Sequence, residues 1–285
     1  MTLAPTRRRF NALLFRWHAT ARRSLLIRTA ANPWEVLVAE VMSQQTGIER
    51  VGPMWRRFVD RWAAPASLAE ASTHELLAAW SGLGYNRRAL ALREAARTIV
   101  SEHGGVVPAD LEALEALPGI GPYTARAVAA AAFGVPVAPL DVNVRRVVSR
   151  VRGVEASSSD LQGAADALVS RREPGRWFDA VMDLASVTCL PREPLCDACP
   201  LATLCASRGA TVPIERKVVG PAFPTTSRWL RGRLVAVATA APAGDWVPLP
   251  ETLGVHGSVA VRTAASRLER EGFVELREDE IRVRS

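Results

Sequence analysis

Four cysteines and two carboxylates carry most of the chemistry legible in this 285-residue chain. The only cysteines fall within seventeen residues, as Cys189-x6-Cys196-x2-Cys199-x5-Cys205. Thiolates this close cannot all pair as disulfides without severe strain, but they can converge on one metal centre. Zinc and a cubic iron–sulfur cluster both accept four sulfurs. Zinc sites usually show two matched Cys-x2-Cys pairs. Here there is one, and the long-short-long spacing fits a [4Fe–4S] loop better, with a structural zinc knot as the alternative. The first carboxylate, Glu40, lies in the stretch Trp34–Gln45, where Val36, Leu37, Val38, Val41 and Met42 make nearly every side apolar. A carboxyl in such a helix either pairs with an arginine as a structural group or raises its pKa and keeps a proton, as a general acid must. The second, Asp141, precedes a helix whose Val144, Val147, Val148 and Val151 form an apolar face. There it serves as an N-cap and remains ionised. Two carboxyls in unlike environments suit glycosidic-bond cleavage.

The rest of the chain supplies elements to hold these groups. Nearly half of the residues are apolar (48%), so a globular chain is expected. The net charge of +7 favours a polyanionic partner, although the excess is nearly all arginine and Lys217 is the only lysine. No apolar run approaches ~20 residues, and the segment after Arg7-Arg8-Arg9 is too short and interrupted for a signal peptide. A reducing, cytoplasmic setting near the nucleoid follows as an expectation, together with free thiols. Phe10, Leu13, Leu14 and Trp17 have helical spacing. Asn32-Pro33 marks a helix start, and Thr46-Gly47-Ile48-Glu49 reads as a capping box opening the next helix. Gln44 and Gln45 then lie at a polar corner. Another helix starts near Thr73 and Glu75 and runs into the turn Gly82-Leu83-Gly84-Tyr85. Asn86-Arg87-Arg88 follow, and their arginines could neutralise phosphates.

Leu117-Pro118-Gly119-Ile120-Gly121-Pro122-Tyr123 joins two helices in the form of a helix–hairpin–helix, whose backbone amides at Gly119 and Gly121 can bind a phosphate. Arg145 and Arg146 would approach a DNA backbone or merely solvate their helix. A loop over Glu155–Ser159 leads into further helix, and Trp177–Leu184 packs back before the cysteines. Arg192 and Arg208 read as surface. Residues 209–227 read as a linker. In 228–285, Leu230, Leu234, Val235 and Val237 suit a first helix, 248–253 a second and 259–269 a third. Phe273–Leu276 and Ile281–Val283 alternate as a hairpin. That order resembles a winged helix, which could bind DNA through its third helix or act as a docking module.

From about Leu25 to Cys205 the chain resembles the endonuclease III/MutY family of DNA glycosylases. The cysteine spacing carries the resemblance, as do Glu40-Val41-Met42-Ser43-Gln44-Gln45-Thr46, the Leu-Pro-Gly-Ile-Gly hairpin and Leu140-Asp141-Val142-Asn143-Val144-Arg145-Arg146. The resemblance implies an all-α, two-lobed glycosylase domain over 1–208 with a [4Fe–4S] loop, followed by the linker and the small winged-helix-like unit. It implies a monomer acting on double-stranded DNA with a mismatched or damaged base, flipped out for chemistry. By resemblance Glu40 is the catalytic acid and Asp141 the stabiliser of the sugar cation, with Asn143 and Tyr123 in support. Gln44, Gln45 and Tyr85 enter the base stack, and Tyr85 could otherwise simply cap its turn. Tyr123 stands where bifunctional relatives carry a nucleophilic lysine, so the chain reads as monofunctional. Asn143 stands in a MutY-like Asp-x-Asn string, where endonuclease III-type sequences have Asp-Thr-His.

The departures fall on base selection. The family's Leu-Pro-Trp-Arg near the adenine pocket is here Leu25-Leu26-Ile27-Arg28, and the pocket position often held by Glu or Gln is Asp179. The length and motifs of the Nudix-like C-terminal domain are not found. Removal of adenine opposite guanine or 8-oxoguanine is the leading expectation. A mismatch thymine or uracil glycosylase is the rival, and a non-catalytic DNA-binding or redox-sensing iron–sulfur protein the alternative of another class.

Overall fold

The computed structural model describes residues 6–153, 160–210 and 220–284. Glu155–Ser159 and residues 211–219 of the expected linker, Lys217 among them, lie outside these residues. The described elements, in order, begin with α1 (Arg7–Ala21), a 3-10 turn (Leu26–Thr29), α2 (Pro33–Ser43), α3 (Ile48–Arg61), α4 (Pro65–Ala69), α5 (Thr73–Trp80) and α6 (Arg87–His103). They continue with α7 (Leu111–Ala116), α8 (Pro122–Phe133), α9 (Val142–Arg152), α10 (Leu161–Asp166) and α11 (Pro174–Val187). After the cysteine loop come α12 (Ser227–Ala240), β1 (Val247–Pro248), α13 (Ser258–Arg270), β2 (Val274–Arg277) and β3 (Glu280–Val283). The fold is mainly helical, as expected.

The chain forms two compact units. One takes residues 1–41 and 107–216, the other 42–106 and 217–285. In the first, α1 and α8 pack on α11, and α9 packs on α11 and α10. Its core is built around Phe10, Leu14, Val147, Trp177 and Val181. α1 ends at Ala21 because the next segment is drawn elsewhere: the Arg23 amide donates to Asp183 Oδ2 at 3.1 Å. α2 starts as anticipated. Asn32 Oδ1 accepts from the Glu35 amide at 3.0 Å, and Glu35 Oε2 accepts from the Ala31 amide at 2.8 Å.

In the second unit α4 packs on α6, and Trp55, Phe58 and Trp80 are buried. α12 packs on both α5 and α13, and Leu77 of α5 shares a core with Leu230, Leu234, Leu268, Phe273 and Ile281. A segment of under sixty residues thereby completes its core with a helix from far upstream. The sheet order is β1-β3-β2, all antiparallel. Residues 248–253 are not helical. Pro248 and Pro250 lack amide donors, and the segment instead continues the strand pairing of Val247 with Ile281, setting Pro248 opposite Glu280, and bends through the Leu253–His256 bridge.

The expected capping box at Thr46 does not form either. The N-cap of α3 is Gly47, with no side-chain hydrogen bond. Thr46 Oγ1 is used by the neighbouring turn, bonding to Leu83 O at 3.3 Å and accepting from Arg88 at 3.0 Å.

Candidate active site and cysteine loop

Burial and capping bring Glu40, Tyr123, Asp141 and Asp179 into mutual electrostatic reach within the first unit. Glu40 keeps a little accessible surface but is enclosed enough that desolvation is the main force on it. Burial, then the charges of Asp179 and Asp141, raise its carboxyl to about 7. Among the described residues no cation lies within ion-pair distance of Glu40, so the reading of a structural glutamate neutralised by arginine does not describe it. Tyr123, at the start of α8, has its hydroxyl held above the ordinary value by burial, then by Glu40 and Asp141. Its ring meets Phe178 edge-on with centroids 6.4 Å apart.

Asp141 is the N-cap of α9. Its Oδ1 accepts from the amides of Asn143 (2.9 Å) and Val144 (2.7 Å), and its Oδ2 accepts from Asn143 Nδ2 (2.7 Å). All three partners are donors, and the side chain lies at the N-terminus of a helix. The cap expected of this residue is formed.

Asp179 sits on α11 one turn before Asp183, and Arg28 holds both. Arg28 Nε lies 2.9 Å from Asp179 Oδ1, while Nη1 and Nη2 donate to Asp183 at 2.9 and 3.0 Å. Asp183 is fully buried and also meets His18 Nε2 at 3.0 Å. Burial alone would lower the Arg28 pKa, but Asp183 and Asp179 carry it above the ordinary value. Asp179 is raised by burial against the opposing effect of Arg28. Leu25 and Ile27 flank this group half-buried, on the short turn that carries Arg28. Sequence reading missed Asp183 and His18. The available signal was two acids four residues apart on an otherwise apolar helix.

The hairpin forms as expected. Gly119 has φ +77°, which a side chain would strain. Gly121 caps α8 without a side-chain bond.

In the second unit Gln45 and Tyr85 are exposed and adopt left-handed backbone, φ +53° and +47°. One guanidinium ties their two turns together: Arg88 donates to Met42 O, Gln44 O, Thr46 Oγ1, Leu83 O and Gly84 O. Arg88 is thus a bracket for backbone carbonyls rather than the phosphate ligand expected of it. Arg87 stays exposed at the start of α6.

Arg146 likewise departs from its expected role. It donates to Asn143 Oδ1 (3.2 Å), Cys189 O (2.8 Å) and Ala185 O (2.8 Å). A chain of contacts therefore runs from Asp141 through Asn143 to the cysteine loop. Arg150, one turn on, donates to Cys189 Sγ (3.4 Å), Leu190 O and Pro191 O. Arg145 is half-buried on the same helix. Arg192 is exposed, and Arg208 lies 3.3 Å from Asp197.

The four cysteines are free thiols and line one cavity together with Arg150. Burial holds the Cys199 thiol up to about 11, and Cys205 is raised in the same way. Among the described residues no group of three or more His, Cys, Asp or Glu is arranged to hold a metal ion. The donor set is all sulfur, spread around the cavity wall with arginine donors beside it. An all-sulfur donor set suits a thiolate-held cluster and a four-cysteine zinc ion alike. No described helix is long and apolar enough to cross a membrane.

Comparisons with known proteins agree with this geometry. A family described as "HhH-GPD superfamily base excision DNA repair protein" matches residues 38–170. The adenine DNA glycosylase of Mycobacterium tuberculosis (strain ATCC 25618 / H37Rv) is 43% identical over 239 residues, 80% of this chain and 78% of that protein. Among solved structures, a thermostable thymine-DNA glycosylase superposes with a TM-score of 0.65 at 29% identity, over 70% of this chain and 95% of its own. A non-covalent endonuclease III–DNA complex gives 0.61 at 25% identity, over 71% and 96%. The architecture is thus shared with glycosylases of several specificities. The 43% identity over more than three quarters of both chains separates them, and by it the chain belongs to the adenine DNA glycosylases of the HhH-GPD superfamily.

Proposed function

We propose that this DNA glycosylase hydrolyses the N-glycosidic bond of adenine mispaired with guanine or 8-oxoguanine in duplex DNA, as a monofunctional enzyme. The observation that carries the reading is Glu40, a carboxyl raised to about 7 with no described cation beside it. Protonated Glu40 gives its proton to the departing base as the bonding pair leaves with that base. The sugar is left as a cation at C1′, and ionised Asp141, oriented by Asn143 and the α9 N-terminus, stabilises it. A water adds its oxygen to C1′ and returns a proton to the Glu40 carboxylate, which regenerates the acid. Tyr123 closes one side of the pocket and has no amine with which to form a Schiff base. Lys217 is the only lysine in the chain, which supports hydrolysis without a lysine-driven lyase step.

Leu25, Ile27, Arg28 and Asp179 are proposed to shape the base pocket. Gly119, Gly121, Arg145 and Arg87 would contact the DNA backbone, with Gln44, Gln45 and Tyr85 in the stack. Cys189, Cys196, Cys199 and Cys205 would hold a [4Fe–4S] cluster whose contribution is a structural cross-link of the loop. The order of α12, β1, α13 and the β2–β3 hairpin supports a winged-helix-like tail. The setting we propose is cytoplasmic, beside the nucleoid, with the protein acting as a monomer.

The test is single-turnover excision on duplexes carrying A opposite 8-oxoguanine, G or T, and T or U opposite G. Alkali cleavage afterwards reveals abasic sites. Adenine loss opposite 8-oxoguanine or G, but not opposite T, is expected. Loss of T or U instead would replace adenine as the target and trace the change to Ile27 and Asp179. Anaerobic purification should give a brown protein with matching iron and sulfide, and a colourless protein with stoichiometric zinc would overturn the cluster.

A further inference from the structure

Tyr85 is held by a residue from far along the chain. Two guanidinium groups lie near its ring, Arg88 at 5.6 Å and Arg228 at 5.0 Å from the centroid. Arg228 Nη1 also donates to the Tyr85 hydroxyl, and the same guanidinium lies over Phe223 at 4.9 Å. Phe223, Arg228 and Tyr85 are all exposed. Tyr85 is a bulky residue in left-handed backbone, a strained conformation that persists only where contacts over-determine it. Arg88 fixes the backbone of the turn through Leu83 O and Gly84 O, and Arg228 fixes the ring.

The support behind Arg228 is rigid. It is the second residue of α12, whose start is capped by Thr226 Oγ1 accepting from the Trp229 amide at 3.2 Å. Trp229 stacks on His256, and His256 Nε2 lies 3.0 Å from Pro224 O. α12 packs on α5, the helix that leads into the Gly82–Tyr85 turn. Among the described residues of this segment, Arg231, Arg262, Arg267, Arg277 and Arg282 each pair with a carboxylate, whereas Arg228, like Arg233, Arg270 and Arg284, does not.

We infer that Arg228 is a positioning residue that presents the Tyr85 ring for insertion between bases, so that the C-terminal segment takes part in reading the mispair. This inference rests on the proposed insertion of Tyr85 into the base stack. A flat guanidinium against the ring, joined by a hydrogen bond to its hydroxyl, limits the side chain to one direction and removes entropy that insertion would otherwise lose.

The full-length chain is titrated onto an A:8-oxoguanine duplex with 2-aminopurine stacked beside the 8-oxoguanine. Insertion unstacks the probe and brightens it. Arg228→Met should weaken binding about tenfold and dim the response, from the loss of one cation–π contact and one charged hydrogen bond. Arg228→Lys, which keeps the charge and a donor, should recover part of it. In a Tyr85→Ala background, Arg228→Met should add no further loss. An equal loss in that background would mean that Arg228 grips DNA independently and would overturn the inference. Arg228→Met indistinguishable from wild type would do the same. Failure of the underlying reading looks different: wild type would not brighten the probe and Tyr85→Ala would be silent. Because Arg228 is exposed, both substitutions should leave the melting temperature unchanged.

Discussion

The two compact units treat charge in opposite ways. Glu40, Asp141, Asp179 and the Tyr123 phenol are electrostatically coupled, and Arg28 is engaged with Asp179 and Asp183. Around Tyr85 the charged groups are guanidiniums, and Arg88 faces five acceptors from two turns. The first arrangement leaves one acid poised to change protonation near neutrality. The second uses a group that stays charged at any working pH and so holds shape without titrating. The proton transfer and the grip on DNA proposed above would make these different demands, and the two regions carry different residue types.

Substitutions can break that contrast. Glu40→Gln removes the carboxyl whose proton would go to the departing base. Excision should fall roughly thousandfold or more while DNA affinity stays near wild type, as read by single-turnover kinetics beside a binding titration. Retained activity would remove Glu40 from the mechanism. Asp183→Ala leaves Arg28 and His18 without their shared buried partner, and urea unfolding should show a loss of about 3–5 kcal/mol. A loss under 1 kcal/mol would mean that this network does not hold the pocket. Arg88→Met strands several carbonyls of the two left-handed turns. It should cost about 2 kcal/mol and expose the Gln45 and Tyr85 turns to protease. It should also leave the pH profile of excision unmoved, since Arg88 is no part of the acid's surroundings.

Two further effects sharpen the acid itself. Glu40 is raised from 4.5 to about 7 in the folded chain, so between those values the folded state holds a proton that the unfolded state has lost. Stability therefore falls as pH rises through that window. Glu40→Gln should be more stable than wild type by about 3 kcal/mol at pH 8, with the gain absent near pH 4, as thermal melts across pH would show. The excision rate of wild type should decline as pH rises through about 7. Asp179→Asn removes the larger of the two acidic charges raising Glu40, so its alkaline limb should shift to lower pH. An unmoved limb would show that burial alone sets the acid.

The helices of this chain were legible because capping and periodicity are local. Asn32 before Pro33, Asp141 before the valine face of α9 and the Gly119–Gly121 hairpin all formed where the pattern placed them. Residues 248–253 and Thr46 went otherwise. Prolines and long-range partners, Ile281 for the strand and Arg88 with Leu83 for the threonine, outweighed a weak helical pattern and a weak capping signal.

Arginine roles were the least legible, since a guanidinium on a polar helix face looks alike whether it meets phosphate, carbonyl or carboxylate. Spacing alone gathered the four cysteines and placed Glu40 in an apolar helix. Only chain segments meeting across more than a hundred residues joined Arg28 to Asp183, drew Asp141 and Asp179 toward Glu40 and stacked Arg228 on Tyr85. Short-range pattern can say which groups are costly to bury. What relieves that cost, or leaves it in place for chemistry, depends on neighbours that the linear order does not bring together.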